Sequence, residues 1–300
     1  MDILQYWDVL VTAILRGGLY SLMAIGLSLV FGVMNIANFA HGEFYMIGAY
    51  FAFFAFSTFG MNPIISIVVA GLLAFIVGAI VEKSLFYPLR QRSKKDWLMN
   101  TFLLTLGVSI ILQNGVKLLW GSTYRGITAY WPGRIKLGSG GMEIANDRVV
   151  GFFIAVFAIA AFVYFLNKTR IGRAIRAVSQ DETGASLVGV DLKMIHTLTF
   201  ALSCMMAALA GACLLSITPA YPVMGVNPLY KSWFVLILVG MGNVGASIVG
   251  GLIVGLLETI SYFQFGAGWQ DVISLTIIIL ILLFKPNGIF GKKGVKSAVE

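Results

Sequence analysis

Charged residues are scarce in this 300-residue chain, and their scarcity decides its class before any motif is considered. They make up 11% of the sequence, against 59% hydrophobic residues, and the mean hydropathy is +0.90. Soluble domains carry roughly 25% charged residues. The composition therefore excludes a soluble globular protein and predicts a polytopic membrane protein in contact with a lipid bilayer.

Cysteine and histidine are equally scarce, with two of each. Cys204 and Cys213 lie in one apolar segment, where helical rise separates them by about 13 Å and excludes a disulfide between them. We interpret both as small buried hydrophobic residues. His41 and His196 are too few to form the ligand cluster that a metal requires, so no metal site is expected.

Motifs of nucleotide binding and catalysis are also absent from the sequence. The chain has no G-x-x-x-x-G-K-[ST] loop. It has no Gly-x-Ser-x-Gly elbow and no visible pair of nucleophile and base. We therefore expect that the chain is not an enzyme, that it has no catalytic residue and that it binds no cofactor itself.

The net charge of +8 is a feature that a nucleic-acid-binding protein would share. Here the basic residues flank apolar runs, which is the positive-inside pattern of membrane proteins, and no nucleic-acid partner is expected. Of the 21 basic residues, five lie in residues 83–95, five in residues 168–193 and four from Lys285 onward. These basic islands predict a cytosolic C-terminus and an N-terminus on the outer side.

Apolar runs between the islands have about the 20 residues that a transmembrane helix needs. The predicted spans are residues 9–33, 35–59, 62–85, 97–120, 149–167, 196–217, 232–257 and 272–284. The run 232–257 is either one long span or two short helices around a polar break near Asn243. Only the second form leaves residues 219–231 and 258–271 both outside. The fold class is thus an all-α polytopic membrane protein with eight or nine transmembrane helices in one permease domain, residues 1–300.

Polar breaks interrupt two of these apolar segments, at Asn35–Gly42 and Gly240–Ala246. Interrupted segments in both halves of a chain mark the pathway in many transporters. The breaks and the acidic residue beside the first of them supply the candidates for the substrate pathway, which are Asn35, Asn38, His41, Glu43 and Asn243.

Glu43 is the one acidic residue in an apolar stretch away from the basic islands, and such a residue is a functional candidate by default. It can equally be a carboxylate at the inner headgroup boundary that holds helix ends together. His41 can be its partner only if the backbone between them is not helical, because residues two apart do not share a helix face.

Two polar stretches extend beyond the spans. Residues 121–148 are expected to be an extracytoplasmic loop, in which Arg134–Leu137 and Met142–Ile144 can pair as a hairpin around a turn at 138–141. Residues 168–195 are expected to be a cytosolic loop, since the stretch 168–193 holds eight charged residues between two apolar segments.

A small helix is predicted inside this cytosolic loop. Ser179 and Glu182 have the spacing of a capping box, Asp181 and Glu182 suit the positive end of the helix dipole, and Gly189 can end the helix in the left-handed conformation. Its apolar residues Ala185, Leu187 and Val188 cannot be buried by a nine-residue helix alone. The segment is either a loop folded on the membrane face or a coupling helix for a soluble subunit.

A resemblance to a known family rests on three stretches of the sequence: GLYSLMAIGLSLVFGVMNIANFAHGEFYMIGAYFA (17–52), GRAIRAVSQDETGASLVGVD (172–191) and LLFKPNGIFGKK (282–293). They resemble the N-terminal signature, the EAA coupling loop and the C-terminal ending of the H-type permease of bacterial branched-chain amino-acid ABC importers. The EAA pattern falls on Thr183, Gly184 and Ala185, and the first two depart from its Glu and Ala.

This resemblance implies a multi-pass protein of the bacterial inner membrane that works with several partners. They are a second, M-type permease, two cytosolic ABC ATPases that hold ATP and Mg, and a periplasmic binding protein that delivers leucine, isoleucine or valine. The coupling residues are then expected to be Ser179, Asp181, Glu182, Ala185, Leu187, Val188 and Gly189. The alternatives are a permease of the same family for urea, amides or another small polar solute, and a secondary transporter or channel that uses Glu43.

Overall fold

The structure is a computed structural model that describes residues 3–92, 97–137 and 142–291. The predicted turn at 138–141 and the lysines after residue 291 lie outside the described residues. Twelve helices and one hairpin make up the described part of the chain. They are α1 (Ile3–Met34), α2 (His41–Phe53), α3 (Pro63–Val81), α4 (Tyr87–Arg92), α5 (Trp97–Trp120), β1 (Arg134–Leu137), β2 (Met142–Ala145), α6 (Asn146–Lys168), α7 (Arg170–Gln180), α8 (Glu182–Leu187), α9 (Leu192–Leu214), α10 (Val226–Val239), α11 (Val244–Phe265) and α12 (Gln270–Phe284).

Six helical stretches of the described residues are long and apolar enough to cross a membrane, by length and composition. They lie in α1, α3 with its continuation, α5, α6, α9 and α11. The continuation is a π-helical turn, Glu82–Phe86, that joins α3 to α4, and a similar turn, Phe54–Thr58, extends α2. The shorter apolar helices α10 and α12 complete the bundle. The chain is thus an all-α polytopic membrane protein.

The core of the bundle is formed by α1 and α9, and α5 lies at its edge. In the most apolar part of α1, 83% of the residues are buried, against 17% in α5. Small residues let the central helices approach closely, as is usual in membranes. A Cβ on Gly48 of α2 would clash with the backbone of Ala208 in α9, and a Cβ on Gly211 of α9 with the Tyr45 carbonyl.

Helices α10 and α11 form an antiparallel hairpin around Gly240–Asn243. Gly240 and Gly242 have positive φ angles of 101° and 82°, and the Asn243 side chain caps α11 by accepting from Ala246 N at 3.2 Å. The chain between residues 226 and 265 therefore has the broken form, with residues 219–225 and 266–269 at the same end of the bundle.

The opposite end of the bundle, which we call the basic end, carries the described residues of the basic islands, among them Arg90, Lys193 and Lys285. A Cβ on Gly32 near the end of α1 would lie 2.9 Å from the Gly242 carbonyl oxygen, and Trp97 at the start of α5 donates to the Met34 carbonyl at 3.5 Å. Ile289 N donates to the carbonyl of Leu238 at 2.8 Å. The C-terminal segment and the turn at 240–243 thus share this end with the start of α5.

The other end, which we call the loop end, carries the long polar loop. The predicted hairpin is confirmed, with β1 and β2 antiparallel in a register that pairs Arg134 with Ala145. A bridge between Arg125 and Ala220 joins the loop to the segment before α10. Burial raises the pKa of the Tyr130 phenol in this loop, so this side chain stays neutral at physiological pH.

Candidate transport site and coupling segment

The break between α1 and α2 returns the chain from the basic end into the bundle. Asn35 has a positive φ of 52°, and its N–H donates to the Phe31 carbonyl at 3.0 Å, which is how a left-handed residue ends a helix. Five more non-helical residues, 36–40, follow before α2 begins at His41. Asn35 is exposed at the basic end, whereas His41 is fully buried.

His41 joins three helices in the interior of the bundle. Its Nε2 lies 3.0 Å from the carbonyl oxygen of Met23 in α1, and its Nδ1 lies 3.2 Å from the hydroxyl of Ser203 in α9. A carbonyl only accepts hydrogen bonds, so Nε2 carries the proton. In the neutral ring, Nδ1 then accepts from Ser203. Both nitrogens are therefore used to hold α2 against α1 and α9.

Glu43 contacts α5 instead. Its Oε1 accepts from Ser109 Oγ at 2.9 Å and from Gln113 Nε2 at 2.7 Å, while Oε2 is buried without a hydrogen-bond partner among the described residues. Ser109 and Gln113 lie about 18 Å and about 24 Å along α5 from Trp97, at 1.5 Å per residue. Glu43 thus contacts α5 in the middle part of that helix.

His41 and Glu43 could pair only if the backbone between them were not helical, and this backbone is helical. Both belong to the first turn of α2, and residues two apart on a helix point in different directions. The hydrogen bonds of His41 go to α1 and α9, and those of Glu43 go to α5. The two side chains therefore connect α2 to different neighbours.

Asn38 supplies a third buried polar group at the same place. Its Oδ1 accepts from Ala40 N at 3.0 Å, and its Nδ2 is buried without a partner among the described residues. Buried polar atoms are nearly always hydrogen-bonded, so an unpaired one needs an explanation such as a water or a ligand. We call Asn38, His41 and Glu43 the polar centre.

The two remaining pathway candidates lie away from the polar centre. Asn243 caps α11 at the basic end, next to Gly242, which contacts Gly32. Gly32 is nine residues along α1 from Met23, or about 13 Å by helical rise. Asn35 also lies at the basic end, so the structure brings together three of the five predicted pathway residues.

A regular stripe of polar residues on α5, which was not singled out in the sequence, faces this region. Every fourth residue carries a hydrogen-bonding side chain, namely Trp97, Thr101, Thr105, Ser109 and Gln113. Thr105 donates to the Ala37 carbonyl at 3.3 Å, and Ser109 and Gln113 donate to Glu43. We call these five residues the α5 stripe. The four-residue spacing of these side chains, which places them on one face of a helix, is the signal in the sequence that indicates the stripe.

The capping box predicted in the cytosolic loop is wrong. Ser179 belongs to the last turn of α7, where its hydroxyl donates to the Arg176 carbonyl at 2.8 Å. Helix α7 is capped by Thr169, which accepts from Gly172 N at 2.9 Å. It continues to residue 180 because its apolar face is buried while its arginines face outward, an arrangement typical of a helix at a membrane surface.

The short helix that follows has six residues instead of the predicted nine, Glu182–Leu187. Asp181 occupies its N-cap position without a side-chain cap. Gly189 has the predicted left-handed φ, at 86°, and Val190 N donates to the Ala185 carbonyl at 3.1 Å, which completes a Schellman end.

Helix α8 is held to the bundle by one face. Ala185 is buried, and Glu182 Oε1 lies 3.7 Å from Nε2 of His196 in α9. Leu187 and Val188 are 84% and 80% exposed. A pair of exposed apolar side chains on a short anchored helix is suited to contact another protein.

Comparisons with known proteins agree with this architecture. A family model described as branched-chain amino acid transport system / permease component matches residues 9–282. The chain is 31% identical over 304 residues to the high-affinity branched-chain amino acid transport system permease protein BraD of Pseudomonas aeruginosa, which covers 99% of both chains. It is 32% identical over 293 residues to the permease protein LivH of Escherichia coli, named for the same transport system, with 94% of both chains covered.

A more distant relative has a different subunit name. The chain is 25% identical over 335 residues to the probable branched-chain amino acid transport permease protein LivM of Methanocaldococcus jannaschii, covering 95% of this chain and 94% of the relative. No solved structure matches the chain.

Proposed function

The chain belongs to the branched-chain amino acid transport permease family, and from this premise we propose that it is the H-type membrane subunit of an ATP-driven importer. It translocates leucine, isoleucine and valine across the membrane. The observation that carries this function is the family match over residues 9–282 together with the full-length likeness to permease proteins of that transport system. The chain is a transport component of the membrane and not an enzyme.

The source of energy is proposed to be two ABC ATPases on the cytosolic side, which hold ATP and Mg. Two features support this assignment. The sequence has no nucleotide-binding loop of its own, and Leu187 and Val188 present an exposed apolar surface on α8 at the basic end. The basic islands gathered at that end also support a cytosolic C-terminus.

The other partners are proposed by the same reasoning. A second, M-type permease is supported by the likeness of this chain to a relative named as a permease of that type, because two related halves can enclose one pathway between them. A periplasmic binding protein is proposed to dock at the loop end, where β1, β2 and the bridge between Arg125 and Ala220 form a folded surface. This protein would select the substrate before delivery.

A mechanism for coupling follows from the contacts of α8. We propose that closure of the ATPases moves the segment 181–189, and that Glu182 transmits this movement to α9 through His196. Seven residues further along α9, two helical turns on the same face, Ser203 contacts His41. The polar centre is thus connected to the ATPase side through one rigid helix.

The same reasoning assigns roles to the pathway candidates. Asn38, His41 and Glu43 are proposed to contact the substrate when the bundle opens, because Asn38 Nδ2 and Glu43 Oε2 have free hydrogen-bonding capacity. Asn35 and Asn243 are proposed to line the cytosolic exit, since both lie at the basic end. Ser179 has no coupling role in this proposal because it belongs to α7.

Reconstitution tests this function. The chain would be purified with its partner permease and ATPases, placed in liposomes with the binding protein outside, and assayed for radiolabelled leucine uptake. We expect uptake that requires ATP inside and that stops when the ATPases carry an inactivating substitution. Uptake without ATP that a protonophore abolishes would instead indicate a secondary transporter. Uptake of urea or amides that leucine does not inhibit would indicate the other substrate class.

A further inference from the structure

Three charged residues on α10, α11 and α12 form a cluster away from the polar centre. Lys231 is 2% exposed, and its Nζ lies 3.1 Å from Glu258 Oε1. It also forms an ion pair with Asp271, which is 49% exposed. Ionisable residues inside a membrane bundle are costly and are functional candidates by default, so this cluster requires an explanation beyond packing.

The cluster has unused capacity for ligands. Lys231 has three N–H donors and two carboxylate partners. Glu258 lies behind Lys231, next to Tyr20, and holds the lysine from the side of α11. With all three groups ionised, the cluster carries a net charge of −1, so a ligand that brings a carboxylate to Lys231 must also bring a cationic group.

A cavity of about 170 Å³ adjoins the cluster between α10 and α12. It is a half-open groove whose wall contains the charged residues Lys231 and Asp271, the polar side chains of Asn227 and Tyr230, and the apolar side chains of Phe234, Val272 and Leu275. The volume exceeds the roughly 30 Å³ of one water several times. An apolar cavity with a positive and a negative group in its wall suits a small ligand that has an aliphatic part and both charges.

The lengths of the two helices favour a carboxylate at this place. Helices α10 and α12 have 14 and 15 residues, which is about 21 Å and about 22 Å of rise, shorter than the hydrocarbon core of about 30 Å. Lys231 and Asp271 belong to the first two turns of these helices. The positive end of a helix dipole that terminates within a membrane attracts the anionic group of a substrate.

We propose that this cavity is a binding site for a zwitterionic aliphatic amino acid, which inserts between Lys231 and Asp271. The proposal rests on the proposed function and names residues for it. The ligand carboxylate replaces Asp271 on Lys231, and the released Asp271, which is half-exposed, turns to the ligand ammonium. Each charge keeps an opposite partner in this exchange, so the buried lysine is never left unpaired. The aliphatic side chain occupies the apolar wall.

This arrangement discriminates by charge. A carboxylate without an ammonium would leave Asp271 unpaired, and an amine without a carboxylate could not displace Asp271 from Lys231. Urea and neutral amides can do neither. The site therefore selects the zwitterion over ligands that share only its shape.

The test compares leucine with two truncated analogues. One is 4-methylpentanoate, which lacks the ammonium, and the other is isopentylamine, which lacks the carboxylate. Binding of radiolabelled leucine to the purified membrane complex in nanodiscs would be measured without the soluble binding protein, with each analogue as competitor. For the wild type we expect analogue affinities at least tenfold weaker than that of leucine. Analogues that compete as well as leucine does would overturn the proposal.

The substitution Asp271→Asn locates the site. It keeps the buried pair of Lys231 and Glu258, so assembly should be preserved. We expect leucine affinity to fall at least tenfold, because its ammonium loses the Asp271 carboxylate, and 4-methylpentanoate affinity to rise at least threefold, because Asp271 no longer competes for Lys231, which keeps Glu258 as its one carboxylate partner. Lys231→Met should abolish the binding of both leucine and 4-methylpentanoate. Lys117→Met, an exposed lysine near the end of α5, is the matched control and should change neither affinity.

Parallel uptake assays separate the two proposals. Wild-type leucine uptake together with unchanged affinities in Asp271→Asn would leave the proposed function standing and refute the binding site. Uptake of a different solute and none of leucine would refute the proposed function. Equal losses of leucine and 4-methylpentanoate binding in Asp271→Asn would show that the ion pair only holds the helices together.

Discussion

Single residues within the spans carry the hydrogen bonds that connect the helices. Glu43 is the clearest case, because one of its oxygens receives two donors from α5 and the other receives none among the described residues. Its partners are uncharged, so the carboxyl group can be replaced by an amide without leaving a charge unpaired. This allows its role in packing to be separated from a role of its charge.

We expect Glu43→Gln to keep both the stability of the chain and ATP-driven leucine uptake within a few-fold. Glu43→Ala should lower the free energy of unfolding by about 2 kcal/mol, because two buried donors lose their acceptor. Thermal unfolding in detergent and uptake in liposomes measure the two effects. Loss of uptake in a stable Glu43→Gln variant would show that the carboxylate itself takes part in transport.

The sequence predicted some residue roles and missed others for identifiable reasons. Gly189 was placed correctly, since few residues other than glycine adopt its positive φ, and the burial of both cysteines is confirmed. Ser179 was placed wrongly because the buried face of α7 overrides a local capping signal. The sequence predicts Lys231 in a loop, because a charged residue ordinarily marks the end of a transmembrane span. That assumption fails where several helices bring opposite charges together.

Helices α2 and α5 differ in how tightly they are packed, as the space around one glycine in each helix shows. A Cβ on Gly48 of α2 would meet the backbone of Ala208, whereas a Cβ on Gly115 of α5 would meet nothing within 4 Å. Helix α2 is therefore fixed against α9, while α5 contacts the bundle through the hydrogen bonds of its stripe and through the aromatic rings of Phe102 and Trp120.

Substitution by valine at these two glycines should change the stability of the chain by very different amounts. We expect Gly48→Val to destabilise the chain by about 3 kcal/mol, because backbone cannot yield to the added side chain. Gly115→Val should change stability by less than about 0.5 kcal/mol, as at an exposed site. Unfolding monitored by circular dichroism in detergent compares them. Similar losses in both variants would contradict the packing described for α2 and α5.

Helix α8 offers a test of coupling that leaves the bundle intact. Leu187→Asp places a charge on a side chain that is 84% exposed, so folding and insertion should be unchanged. We expect leucine uptake to fall at least tenfold and the ATPases to copurify poorly, because a charge at an apolar contact is desolvated without a partner. Leu187→Met is the control and should retain both leucine uptake and copurification of the ATPases. Normal uptake in Leu187→Asp would refute the contact.

Some elements were predictable to the residue and others only in outline. The bounds of α5 were predicted at Trp97 and Trp120, since an island of charge precedes it and a polar loop follows it. The break at Gly240–Asn243 was visible in its glycines. The choice between one span and two depended on which helices pack together, which is a property of the tertiary structure and not of the local sequence.

At the scale of the whole molecule, each end of the bundle has an exposed side chain at which the orientation can be tested. Met241 is 61% exposed at the basic end, and Tyr124 is 70% exposed at the loop end. Both native cysteines are fully buried, so they should not react with aqueous thiol reagents. The native chain should therefore not be labelled by a thiol reagent added on either side of the membrane, so that labelling of a variant reports only the introduced cysteine.

We expect Met241→Cys to react with a membrane-impermeant maleimide only in inverted vesicles, and Tyr124→Cys only in right-side-out vesicles, because we propose that the basic end faces the cytosol. Gel-shift labelling measures both. The reversed pattern would invert the orientation and place α8 on the wrong side for an ATPase. Reaction of the parent chain would contradict the burial of its cysteines.

The polar character of the α5 stripe has a consequence for how quickly a passage can form beside this helix. Interlocked leucines must separate together, whereas Thr105, Ser109 and Gln113 can each exchange a protein acceptor for a water molecule at a net difference of about 1 kcal/mol. Retraction of α5 would therefore proceed through hydrated intermediates over a low barrier. The passage would be wet from its first opening, which is what a zwitterion requires in order to move.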